Sequence, residues 1–485
     1  MNAREDELRL LAGRCLGMGL SGPELDEASR STLREVRPGT VILFARNTPD
    51  LVTTRNLCDG LQAFVAGEGS GPLLICADQE GGRVQRLRAG VTELPAAMLL
   101  GQAGPEHVRA MSTVAAVDLG HAGIRLVLAP VADVNVEPQN PVIGARAFGA
   151  GTAAVSACVA AAVQGYRAGG VLSCAKHFPG HGDTRVDSHL DLPVLPRRAA
   201  QLEEVELPPF RAAIEAGVDA VMVSHLAVPA LDPTGAPASL SEPITTGLLR
   251  RRIGWSGPVL TDDLEMGALA AWAGDAGEIA VRAMAAGSDL LFFSHRHDRV
   301  RAARDALVAA VLEGRLAEAR LREAEEHVTG LAERAAGVAA RPAPDVDGAA
   351  VLEAAVRAGV RLVRVPPPGS GRGSAAVLSL VEGRQTGAES AGAGDPLLAA
   401  ARRRGLAVEP DLDAAAAGSG PLVVGVRRPG AEMLERLDEL TRRRPATVVA
   451  LAEPWLLERL PAAGAIAACD GGRAACERAL DLALG

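Results

Sequence analysis

One segment, AKHFPGHGDTRVDSHLDLP, gathers more titratable chemistry than any other part of this chain. It carries Lys176, His177, His181, Asp183, Asp187 and His189, and it holds the only lysine among 50 Lys and Arg residues. A lysine kept against so strong an arginine bias points to a task for a compact ammonium on a flexible stem, which a planar guanidinium cannot perform. Asp187 beside His189 suggests proton transfer. A neighbouring carboxylate fixes the imidazole tautomer and favours the imidazolium, by a pKa rise of roughly 1–3. General acid–base work of that kind is worth roughly 10²–10⁴ in rate. The spacing also suits two other roles: His181, Asp183, Asp187 and His189 as metal ligands, or Asp187 as a loop cap with His189 structurally satisfied. On spacing alone the three readings stay open.

Two further constellations stand at the ends of apolar runs. In PVLTDDLEMGA, strand alternation sends one of Asp262 and Asp263 inward and the other outward, so the two should not share a role. An aspartate there could be a nucleophile, a metal ligand or a helix N-cap. In LLICADQEGGRVQRL, Asp78 and Glu80 precede Gly81–Gly82, where backbone can approach closely. Those carboxylates read as ligands for hydroxyl groups, with Arg83 and Arg86 either clamping them or solvated. Arg146, in PVIGARAFG, is a further hydrogen-bond donor.

The elements that must carry these groups follow a regular plan. Eight apolar runs (RCLGMGL, TVILFARN, LLICADQEGG, LVLAPVADVN, GVLSCAKHFPG, AVMVSH, PVLTDD and SDLLFFSH) alternate with helical stretches such as Leu202–Ala216 and Gly274–Ala286. Continuous apolar strands separated by helices indicate a parallel sheet covered on both faces. Eight of them predict an α/β fold closed as a (β/α)8 barrel, with Asn47, Asp78, Asp133, Lys176, His225 and Asp262 at the strand ends where barrel sites lie. Residues 298–337 read as helix. The expected division is a barrel with its trailing helices over 1–337, a Pro-containing linker over 338–348, and a smaller α/β open-sheet domain over 349–485. That second domain shows five strand-like runs, RLVRV, AAVLSLV, PLVVGVR, TVVALAE and AIAACD.

Composition narrows the function. A net charge of −9 argues against nucleic acid as a partner; the short runs Arg402–Arg404 and Arg442–Arg444 read as solvated helix ends. Neither a dinucleotide fingerprint nor a phosphate-binding loop is present. No apolar run is long enough for a membrane span. The charged N-terminus lacks a signal-peptide core, and seven scattered cysteines without CxxC pairing read as reduced thiols, so the expected location is cytoplasmic.

Taken together, VILFARN, DQEGGRVQRL, PVADVNVEPQNPVIGARAFG, AKHFPGHGDTRVDSH, MVSHLAVPALDPTGAPASLS and VLTDDLEM resemble the family 3 glycoside hydrolases, in their bacterial β-N-acetylglucosaminidase (NagZ-like) branch. The resemblance runs in order through residues 10–295. It implies a retaining exo-glycosidase acting on terminal β-linked N-acetylglucosamine, with peptidoglycan fragments as the substrate expected by analogy. Asp262 matches the nucleophile, and Asp187 with His189 the acid/base dyad. Asp78, Arg146, Lys176 and His177 match sugar-binding positions, as do His225 and Arg86 more loosely. No metal and no cofactor is implied, and the partner is a small glycan. The alternatives are another exo-β-glycosidase, an N-acetylglucosaminide phosphorylase, or a silent glycan-binding protein. Oligomeric state is not legible.

Overall fold

The computed structural model describes residues 3–186, 188, 191–269, 272, 275–339, 344–364, 375–381, 395–418, 421–427, 429, 431–452, 454–461, 463–470 and 472–484. Eight parallel strands close a barrel in chain order: β1 (Leu16–Gly19), β2 (Thr40–Leu43), β3 (Leu74–Ala77), β4 (Leu126–Val127), β5 (Leu172–Phe178), β6 (Ala220–Val223), β7 (Val259–Asp263) and β8 (Leu290–Phe293). The closing pair is β1 with β8, Leu16 opposite Leu291. Their apolar runs are unbroken because both faces are buried. Ile42, Leu74, Cys76, Leu126, Leu172, Met222, Leu260 and Phe292 fill the interior. The alternate residues Val41, Leu43, Ile75, Val221 and Val259 join the core under the outer helices.

The N-terminal end of the barrel is stoppered. Helix Glu318–Ala339 inserts Val328, Leu331, Ala332 and Ala335 into the interior cluster. Beside it, buried Asp289 is gripped by Arg250, Arg320 and His327. The predicted continuous helix over 298–337 is in fact two, His297–Leu312 and Glu318–Ala339, because Gly314 takes φ +76 and turns the chain. That left-handed conformation is open to glycine without steric cost.

The second sheet has six strands rather than the five expected: β9 (Arg361–Arg364), β10 (Ala376–Val381), β11 (Ala407–Val408), β12 (Leu422–Arg427), β13 (Ala446–Ala450) and β14 (Gly464–Ala467). They lie in the order β9-β14-β13-β12-β10-β11, with only β9 antiparallel. The extra member, β11, is a two-residue edge, too short to leave a pattern. Helix Gly348–Gly359 packs this unit onto barrel helices Ala97–Ala103 and Pro105–His121, and Gly359 lies so close to Leu99 that a Cβ would come within 2.6 Å of it. Asp470 adds a polar tie, its Oδ2 accepting from Ala96 N at 2.8 Å. All seven cysteines are free and buried.

Candidate active site

The C-terminal ends of the barrel strands open into a cleft of about 250 Å³. Its lining includes Asp78, Arg86, Arg146, Lys176, His177, Asp262 and Asp263. On one side lies a compact ion cluster. Asp78 follows β3, and Glu80 sits in a short hairpin of Gln79–Gly81 against Val84–Gln85. Gly81 (φ +100) brings that hairpin onto Pro95, where a Cβ would overlap the Pro95 carbonyl oxygen. Lys176 Nζ lies 2.6 Å from both Asp78 Oδ1 and Glu80 Oε1. Arg146 takes Glu80 in a fork, Nε to Oε2 at 2.7 Å and Nη2 to Oε1 at 2.8 Å. Arg86 reaches Asp78 Oδ2 at 3.1 Å.

Such pairs survive burial only when the geometry is good, since each charge gives up its hydration. Burial works to raise both carboxyls, but the cations prevail. Lys176 and Arg86 hold Asp78 well below the usual carboxylate range, and Arg146 and Lys176 hold Glu80 at about 2. Burial works against the Lys176 ammonium too, yet Asp78 and Glu80 keep it above its ordinary value. The cluster stays fully charged at any working pH. Arg83 donates to the Val142 and Ile143 carbonyls.

His177 joins the cluster through Arg146. Its Nε2 is 3.2 Å from Arg146 Nη2 and its Nδ1 is 2.7 Å from Asp133 Oδ2. A guanidinium only donates, so Nε2 accepts and the ring proton sits on Nδ1, facing Asp133. Asp133 Oδ1 also accepts from the backbone N–H groups of His177 and His181. His181 is fully engaged, Nδ1 with Thr184 Oγ1 and Nε2 with Ser188 Oγ. Burial pushes it down to about 4, so it is a neutral brace for its own loop.

Across the cleft, the end of β7 departs from the expected alternation: Asp262 and Asp263 both line the cavity. The reason is a bulge. Leu260 pairs with Leu290 and Asp263 with Phe292, so β7 carries one more residue than β8 over this stretch. An extra residue re-aims the side chains that follow it. Asp263 Oδ1 accepts from Glu265 N, its Oδ2 lies 3.6 Å from His295 Nε2, and burial raises its carboxyl to about 7. His225 packs against the end of β7, its Nδ1 meeting Ser239 Oγ at 2.7 Å and its Nε2 meeting the Asp263 carbonyl at 2.9 Å. It buttresses the strand end.

Asp187 and His189 lie outside the described residues. Ser188 between them lines the cleft, and its carbonyl accepts from Ala268 N at 3.2 Å, on the segment after β7. Among the described residues no group of three or more His, Cys, Asp or Glu is arranged to hold a metal ion.

The model for the "Glycosyl hydrolase family 3 N terminal domain" matches residues 7–331, which carry this barrel and every lining residue of the cleft. The chain belongs to glycoside hydrolase family 3. It is 38% identical over 299 residues to a β-hexosaminidase from Chromobacterium violaceum, covering 60% of this glycosidase and 80% of that relative. A family 3 β-N-acetylglucosaminidase from Paenibacillus sp. FPU-7 matches both domains, with 32% identity, a TM-score of 0.90, and coverage of 99% and 96% of the two chains. NagZ from Neisseria gonorrhoeae is 32% identical with a TM-score of 0.55, covering 66% of this chain and 97% of its own, as a barrel-sized relative would.

For this family 3 enzyme, sequence reasoning missed the parts played by Glu80, Asp133 and Asp263. Glu80 is the shared counter-ion of Lys176 and Arg146, Asp133 sets the His177 tautomer, and Asp263 shares the cleft with Asp262. The D-x-E spacing after β3 was the available signal for the first; the other two depend on contacts remote in sequence. No helix among the described residues is long and apolar enough to cross a membrane.

Proposed function

We propose that this enzyme is a retaining exo-β-N-acetylglucosaminidase that removes terminal β-linked N-acetylglucosamine, with peptidoglycan fragments in the cytoplasm as its substrate. The observation that carries the reading is the cleft itself. A carboxylate, Asp262, faces the charged floor formed by Asp78, Lys176, Arg146, Arg86 and His177 across a cavity of about 250 Å³. Fixed donors and acceptors on that floor are suited to the hydroxyls of one terminal sugar, which they would hold with its anomeric carbon toward Asp262.

Asp262 then attacks the anomeric carbon and forms a glycosyl-enzyme, while the glycosidic C–O bond breaks. Two carboxylates about 5–5.5 Å apart are the usual equipment for retention. Here His189 with Asp187 takes the place of the second. His189 as imidazolium gives its proton to the departing aglycone oxygen; as neutral imidazole it takes one from the water that releases the sugar. A pKa near the working pH serves both steps. The names of the relatives, β-hexosaminidase and β-N-acetylglucosaminidase, support the choice of sugar.

The test is a panel of aryl glycosides and muropeptide fragments, with and without inorganic phosphate. We expect p-nitrophenol release from the β-N-acetylglucosaminide to exceed that from the β-glucoside by at least roughly 100-fold, the discrimination available from about 3 kcal/mol of lost polar contact. Comparable turnover of both would overturn the acetamido assignment. Sugar 1-phosphate as the main product would make the enzyme a phosphorylase.

A further inference from the structure

Beneath the loop that leads to His189 lies an acid that the mechanism above does not use. Glu206, in the π-helical turn Leu202–Glu206, is fully buried, and neither of its carboxyl oxygens has a hydrogen-bond partner among the described residues. A buried carboxyl without partners calls for an explanation. It fills the space a side chain at Gly180 would need: a Cβ there would lie 2.5 Å from Glu206 Oε2, and Gly180 takes φ +126. The nearest cation is Arg197, whose Nε stands 2.7 Å from Asp183 Oδ2 on the loop and 3.6 Å from Glu206 Oε1.

We propose that Glu206 is a positioning residue for the acid/base loop: as a neutral acid it wedges Gly180 from below and leaves Arg197 to pair with Asp183 alone. The charge balance supports this. Glu206 and Asp183 stand beside the one arginine from two different segments, and Asp133, already committed to His177, adds to the negative field at Glu206. A third negative charge would compete for Arg197 and repel the other two. Burial foremost, with Asp133 and Asp183 adding and Arg197 opposing, pushes Glu206 up to about 8. It is therefore protonated at neutral pH. Above about pH 8 it ionises, the Arg197–Asp183 pair is contested, and the root of the loop loosens.

The inference rests on reading this loop as the carrier of the acid/base pair, so its test reads the loop directly. Amide hydrogen exchange over residues 180–186, corrected for intrinsic rate, should accelerate on the order of tenfold between pH 7 and pH 9.5 in the wild type, as local opening becomes easier. Glu206→Gln, which keeps the shape without the charge, should show flat protection, near-wild-type kcat at pH 7, and an alkaline limb of kcat/KM moved to higher pH. Glu206→Ala should lose activity that the Gln variant retains. Superimposable exchange and pH profiles for wild type and Glu206→Gln would overturn the proposal. So would wild-type protection indifferent to pH, which needs no variant to fold. The leaving-group test of His189 decides the underlying reading separately.

Discussion

The Lys176 ammonium nitrogen lies 2.6 Å from Glu80 Oε1, and both side chains are almost wholly buried. That contact accounts for the single lysine in an arginine-rich chain. The same nitrogen also lies 2.6 Å from Asp78 Oδ1, so one point charge serves two carboxylates while facing the cleft. A guanidinium would have to fit a planar fork into a space where Arg146 already occupies the other side of Glu80. Lys176→Arg should therefore lower kcat/KM by about tenfold to a hundredfold, the scale of one charge-assisted hydrogen bond. Steady-state kinetics on an aryl N-acetylglucosaminide will check it; an unchanged value would return the lone lysine to chance.

Glu80→Gln strips the charge that neutralises Lys176 and Arg146. Removing one partner of a buried pair costs about 3–5 kcal/mol, a loss to be read by urea unfolding at pH 7. The acid limb supplies the sign. The Glu80 carboxyl is held down at about 2, below its ordinary 4.5, so its stabilisation is complete above about pH 4.5 and disappears as pH falls toward 2. Wild type should thus lose more stability than Glu80→Gln between pH 5 and pH 2. Parallel losses would show that Glu80 is not held this way.

Asp262→Ala should abolish trapping of a glycosyl-enzyme by a fluorinated-sugar inactivator and reduce kcat by roughly 10⁴-fold or more, as removal of a covalent nucleophile does. Intact-mass measurement gives the answer directly. Stoichiometric labelling of the variant would shift the assignment to another residue, with Asp263 the first candidate.

His189→Ala should depend on the leaving group. For phenyl or sugar aglycones the loss should be roughly 10²–10⁴-fold, whereas a dinitrophenyl aglycone, which departs without a proton, should react at a rate near wild type in the first step. Equal losses for all aglycones would make His189 structural.

Much of this architecture was written in local sequence. Runs such as LLICAD and LLFF are apolar throughout because both of their faces are buried, and counting them gave the barrel. Features set by distant partners were hidden. Nothing near Asp133 announces that it orients a histidine 44 positions on, and ELPPF around Glu206 reads as an ordinary helical turn. The period-2 rule failed at Asp262–Asp263, because one added residue in β7 cannot be seen without its pairing partner. Asp187 and His189 are proposed as the dyad through family resemblance, since spacing alone leaves catalysis, metal binding and structure open.

The ion cluster on the cleft floor has a last consequence, for how the enzyme meets its surroundings. Each cation there has its carboxylate within 3.1 Å, inside the protein. Dissolved ions screen exposed charges over a Debye length of about 8–10 Å at physiological strength but reach buried pairs far less. The proposed sugar site thus carries its own counter-ions, and substrate affinity should vary little from dilute buffer to concentrated salt.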